Sequence, residues 1–139
     1  MIFGFRVATD CITEKEGKIL VVKRYLPPFL GKYAFPGGNL KKWESVEDCV
    51  VRETFEETGI KVKPKEILGV YSKKGRDPRG HVISITFVCK FLGGELRESF
   101  EGKPELIRID ILKKLEMAFD HSKILKDYIL WKKKKQTFW

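Results

Sequence analysis

The chain has 139 residues, 42% of them apolar, and a net charge of +9 from 28 Lys+Arg against 19 Asp+Glu. That length suits one compact domain with a real core, and the apolar content excludes disorder of the whole chain. No apolar run reaches the ~20 residues a spanning helix needs, Arg6 comes too early for a secretory signal, and Cys11, Cys49 and Cys89 are too few and too scattered for a disulfide framework or a zinc site.

In chain order, residues 3–12 read as a strand, Gly17 as a turn and residues 18–24 as the returning strand. The prolines within residues 26–31 mark a loop. Residues 33–35 read as a short strand ending where Pro36, Gly37 and Gly38 turn the backbone sharply. Ser45 is a good N-cap, Glu47 and Asp48 suit a first turn and Gly59 the position past the end, which predicts a helix over 45–58. Residues 66–72 and 81–92 read as strands joined by a polar segment, and 105–109 as another. A short helix near 112–115 and a final helix over 120–132 complete the order. Strands interleaved with helices give an α/β class, a mixed sheet covered by helices. The lysines at 132–135 suit the solvated end of that last helix. The three cysteines read as small buried apolar residues, and the cytoplasm is the default compartment. A basic surface attracts anions, either small phosphorylated substrates or nucleic acid.

The central feature is Arg52-Glu53-Thr54-Phe55-Glu56-Glu57. At about 100° per residue, Glu53, Glu56 and Glu57 share one arc, leaving Val50, Val51, Thr54 and Phe55 for the core. Like charges at i,i+4 cost about 0.2–0.5 kcal/mol per pair, a strain relieved if a hard divalent cation sits among the carboxylates. An acidic helix face alone is more often just solvated.

The surroundings reverse that judgement. Gly38, Glu44, Arg52, Glu53, Glu56, Glu57, Gly59 and Ile60 match the Nudix box, G-x5-E-x7-R-E-U-x-E-E-x-G-U, with only Thr54 departing at a bulky apolar position. The chain therefore resembles the Nudix hydrolases, and the resemblance implies a single domain over residues 1–139, a Nudix-type α/β/α sandwich with a mixed β-sheet and a catalytic loop–helix–loop. It further implies that Glu53, Glu56 and Glu57 hold Mg²⁺ or Mn²⁺, that Arg52 orients them, that Gly38 and Gly59 supply backbone turns and that Glu44 braces the loop. The family commonly has Glu and Gly where this chain has Lys41 and Trp43, which bears on loop shape and substrate preference.

Two further stretches, residues 76–81 with the alternating run after them and residues 118–121, are similar to segments of ADP-ribose pyrophosphatase-like members. They imply metal-dependent hydrolysis of a phosphoanhydride in a nucleoside diphosphate-linked substrate, ADP-ribose going to AMP and ribose 5-phosphate. Arg24, Arg76 and Arg79 are the candidates for holding phosphate oxygens, and Tyr33, Phe35 or Trp43 for stacking the base. The general base would be a box glutamate or one of Glu98, Glu101 and Glu105, between which spacing does not choose; Glu105 stands in the candidate site. That loop has Gly102-Lys103 where the ADP-ribose group is often acidic. The alternatives are a hydrolase of oxidised or non-standard nucleoside triphosphates and a non-catalytic nucleotide-sensing domain; the intact box glutamates favour an enzyme. A nucleotide-type small molecule is the expected partner, with no membrane and no nucleic acid. Phe138 and Trp139 are candidates for a homodimer interface.

Overall fold

The computed structural model describes residues 4–139, so the expected start of the first strand at residue 3 lies outside the described residues. Strand β1 (Arg6–Lys15) is central. It runs parallel to β6 (Val82–Gly94), with Asp10 opposite Thr86, and β6 pairs in turn with antiparallel β5 (Ile60–Tyr71). The far end of β1 turns at Gly17 into β2 (Lys18–Arg24), which pairs with β3 (Tyr33–Ala34) and, along its whole length, with β7 (Gly102–Arg108). The sheet is mixed, as the alternation of strands and helices predicts.

Side chains on β1 and β2 alternate between two cores because successive residues in a strand face opposite sides. Cys11 and Leu20 point into a cluster with Val50, Ile60, Val62, Phe87 and Cys89 beneath helix α1 (Val46–Thr58). Ile12, Ile19 and Val21 point the other way, against Leu68, Leu112, Ile124, Leu125 and Tyr128. This second core is roofed by α2 (Ile109–Leu112) and α3 (His121–Lys133). Helices on both faces of the sheet make the expected α/β/α sandwich, and all three cysteines are free and buried.

Strand β5 starts at Ile60, earlier than the sequence predicts, and Pro64 lies at a register shift where its missing N–H interrupts no regular ladder. The residues expected to turn sharply at 36–38 instead feed β4 (Gly37–Asn39), an extended strand antiparallel to β1. Phe138 packs on its own α3-side core and exchanges backbone hydrogen bonds with Leu68 and Val70 of β5. Among the described residues no helix is long and apolar enough to cross a membrane.

Helix α1 forms as predicted. The Ser45 hydroxyl accepts from the Asp48 N–H at 3.1 Å, a cap worth about 1 kcal/mol, and Gly59 closes the helix at φ 80°. Its buried face is Cys49, Val50, Thr54 and Thr58; Phe55 is instead 37% exposed, under the Arg97 guanidinium. The Thr54 hydroxyl is buried without a hydrogen-bond partner. Replacing it with the isosteric Val removes that unmet polar group, so Thr54→Val should stabilise the fold by about 1–2 kcal/mol. Thermal melts should place the variant a few degrees above wild type, and a lower midpoint would contradict the assignment.

Candidate active site

The acidic face of α1 is organised by one guanidinium. Arg52 donates to both Glu44 oxygens at 2.6 and 2.9 Å, to Glu53 at 2.8 Å, to Glu56 at 3.2 Å and to the Asn39 carbonyl at 3.2 Å. Hydrogen bonding from Arg52 holds the Glu44 carboxyl down at about 2, so Glu44 braces the loop as an anion. A planar fork of five N–H donors can serve these four groups at once, more than the three donors of a lysine.

Beside this hub lies a cleft of about 470 Å³ where α1, β4, the start of β1, the end of β2 and the loops carrying Leu26, Lys41, Arg76, Glu101 and Phe119 meet. Glu53 and Glu57 line it, and so does Glu101 from the loop before β7. Glu57 accepts from the Gly37 N–H at 3.1 Å. Burial, and then a hydrogen bond with the Glu101 carboxyl, push the Glu57 pKa well above the ordinary carboxylate range. Burial also raises Glu53. Glu56 lies beside the cleft on the Arg52 side, its side chain 53% exposed.

The cleft also carries cations beside its carboxylates. Arg24 and Arg79 line the cleft, their guanidiniums 5.2 and 5.3 Å from the Phe119 ring, and burial lowers the Arg24 pKa. Arg79 is anchored by Asp77 at 2.9 and 3.1 Å. Arg76 also lines the cleft, but its fork is spent on Asp120 at 2.7 and 2.8 Å, so it positions the start of α3.

Several expected site residues fall elsewhere. The β2–β7 register sets Glu105 opposite Val21 and its carboxylate accepts from the Tyr33 hydroxyl at 3.2 Å; neither Glu105 nor Tyr33 lines the cleft, so both are withdrawn from it. Phe35 lines the cleft only as a buried ring stacked on His121, leaving no open face for a base. Trp43 lies outside the cleft, 93% exposed and held at φ 68°. Conversely, sequence reading assigned no site role to Phe119 and His121, which lie in the 118–121 stretch, and did not single out Asp10; all three line the cleft, and the fully buried Ser84 hydrogen-bonds to Asp10. Asp10 and Ser84 sit on paired strands with no motif linking them, so only the β1–β6 register brings them together.

The NUDIX domain family model matches residues 4–128. The chain belongs to the Nudix family. A curated Nudix relative from Methanocaldococcus jannaschii, named ADP-ribose pyrophosphatase, is 53% identical over 127 residues, covering 91% of this chain and 74% of its own length. Another, from Bacillus subtilis and described as an uncharacterized Nudix hydrolase, is 33% identical over 79% of this chain and 70% of its own. The fold matches the NUDIX domain of Shewanella oneidensis NrtR complexed with ADP ribose at TM-score 0.80, with 21% identity over 93% of this chain and 89% of that one. A mutator MutT protein from Bacillus halodurans matches at TM-score 0.74, with 32% identity over 87% and 80% of the two chains. The chain is thus a Nudix pyrophosphohydrolase whose box lies on α1 and the loop before it.

Nudix enzymes generally use divalent metals. Among the described residues no group of three His, Cys, Asp or Glu side chains stands close enough together to hold a metal ion by itself. The donors nonetheless suit a hard divalent cation, because Glu53, Glu57 and Glu101 offer only oxygens, and Glu57 and Glu101 crowd together as two acids sharing a hydrogen bond. Mg²⁺ keeps several waters and is commonly held by one or two carboxylates plus substrate phosphates, which an open carboxylate wall accommodates.

Proposed function

We propose that this Nudix domain, spanning residues 1–139, hydrolyses ADP-ribose to AMP and ribose 5-phosphate with Mg²⁺ or Mn²⁺. The observation that carries this reading is one cleft lined both by the carboxylates of Glu53, Glu57 and Glu101 and by the guanidiniums of Arg24 and Arg79. The M. jannaschii relative named ADP-ribose pyrophosphatase supports the substrate.

Glu53 and Glu57 would hold the cation, with Glu56 beside them and Arg52 fixing the orientation of Glu53. When bound, a divalent cation offsets phosphate charge and makes water a better nucleophile. Arg24 and Arg79 hold phosphate oxygens, and both guanidiniums pack on the Phe119 ring. Glu101, the late glutamate that reaches the cleft, takes the proton from the attacking water. Water adds across the P–O–P bridge, and each phosphate leaves as a monoester.

Incubation with Mg²⁺ and, in turn, ADP-ribose, 8-oxo-dGTP, NADH and a diadenosine polyphosphate tests the assignment by product chromatography. AMP from ADP-ribose at the highest kcat/KM is expected. Consumption of the triphosphate with ADP-ribose untouched would replace this substrate by a house-cleaning one.

A further inference from the structure

Asp10 and His121 both line the cleft and stand side by side there, with no direct hydrogen bond between them. The Ser84 hydroxyl donates to Asp10 Oδ2 at 2.5 Å and lies 3.0 Å from the Thr86 hydroxyl. This chain of buried hydroxyls fixes the carboxylate and leaves Oδ1 facing His121 Nε2 at 3.8 Å, too far for a direct hydrogen bond. His121 Nδ1 accepts from the Phe35 N–H at 3.0 Å, so the neutral ring carries its proton on Nε2. Burial keeps that ring neutral by lowering its pKa. The pair therefore presents one acceptor, Asp10 Oδ1, and one donor, His121 Nε2–H, to the same space.

An oxygen entering from the cleft can sit beside this pair, about 2.8 Å from each partner, and a hydroxyl both accepts and donates. A phosphate oxygen does not suit the pair, because it would meet the Asp10 carboxylate charge to charge. Position adds a second constraint. Gly37 gives its N–H to Glu57, and a side chain on Gly37 would press on Asp10 Oδ1 at 2.5 Å. One residue thus separates the carboxylate wall from the hydroxyl site, which suits a sugar esterified directly to the diphosphate.

We propose that Asp10 and His121 form a hydroxyl-recognition site for the sugar on the far side of the scissile diphosphate, with Asp10 the specificity-determining residue and Ser84 its positioning partner. The proposal rests on the ADP-ribose reading for the sugar's identity, but its test does not require turnover. In EDTA, calorimetric titration with ADP-ribose and with ADP, which lacks the second sugar, reads binding alone. Wild type should bind ADP-ribose about 10–100-fold more tightly than ADP, the range for a hydrogen bond to a charged group. Asp10→Asn replaces one acceptor oxygen by a donor, and should remove most of that preference while binding ADP as wild type does. Ser84→Ala should reduce the same preference less, and serves if Asp10→Asn proves unfolded by its melt. No preference in wild type, or equal losses for both ligands in the variants, overturns the site. A protein that shows the Asp10-dependent preference yet fails to cleave ADP-ribose with Mg²⁺ keeps the hydroxyl site and loses the proposed reaction.

Discussion

Glu57→Gln should lower kcat/KM for ADP-ribose about 10³-fold or more at saturating Mg²⁺, since charge neutralisation by a bound cation supplies several kcal/mol and each 1.36 kcal/mol is a factor of ten. The amide keeps the size of the side chain and an acceptor for the Gly37 N–H, so the fold should persist. Stability should move the opposite way to activity in the metal-free protein. The folded pKa of Glu57 is raised by burial and by Glu101, so the folded state binds this proton more tightly than the unfolded chain, whose value is about 4.3. The corresponding stability is present below that unfolded value and is lost as pH rises through the folded one. Gln loses nothing over that window. Metal-free Glu57→Gln should therefore melt above metal-free wild type near neutral pH, by a margin that grows as pH rises from about 5. Mg²⁺ should narrow the margin by stabilising wild type selectively, with a proton released on binding. A variant that keeps its turnover, or melts below wild type in chelator at pH 7, contradicts the role of Glu57.

The adjacent glycines should respond to alanine in different ways. A Cβ on Gly37 would overlap the Thr9 backbone carbonyl and crowd the Asp10 backbone, neither of which can swing aside. Gly37→Ala should therefore destabilise by about 3 kcal/mol, the upper range for overpacking, and part β4 from β1. A Cβ on Gly38 would first overlap the Glu53 carboxyl, the free end of a flexible side chain. Gly38→Ala should melt close to wild type but displace Glu53 and weaken the metal site, costing about 10–100-fold in metal affinity or turnover. Urea denaturation and Mg²⁺-dependent kinetics on both variants separate the two effects. Equal loss of stability in the pair would contradict this account of the glycines.

These glycines also show where sequence reasoning stops. A glycine pair after a proline reads as a turn, because freedom in φ is its usual local use. Here neither glycine lies at positive φ, and what is needed is close approach between β4, β1 and the Glu53 carboxyl, which only the assembled fold reveals. Helix α1 was legible in full because its cap, its acidic first turn and its closing Gly59 are local signals. The two-sided core followed from strand alternation, apart from Phe55, whose ring lies past the edge of the buried face under Arg97. Choosing among Glu98, Glu101 and Glu105 lay beyond spacing. The β2–β7 ladder fixes Glu105 beside Tyr33, while Glu101 sits in the turn that returns to the cleft, and this is tertiary information. The same holds for Asp10 and His121, which lie more than a hundred residues apart in the chain.

Phosphorus NMR of ADP-ribose hydrolysis tests the central claim most directly, run on wild type with Mg²⁺, on wild type with chelator and on Glu57→Gln with Mg²⁺. With wild type and metal, the diphosphate resonances should give way to two phosphomonoester signals, those of AMP and ribose 5-phosphate, while in the other two samples they persist. Diphosphate signals that persist in all three samples, or vanish in all three alike, would contradict a metal-dependent phosphoanhydride hydrolase centred on Glu57.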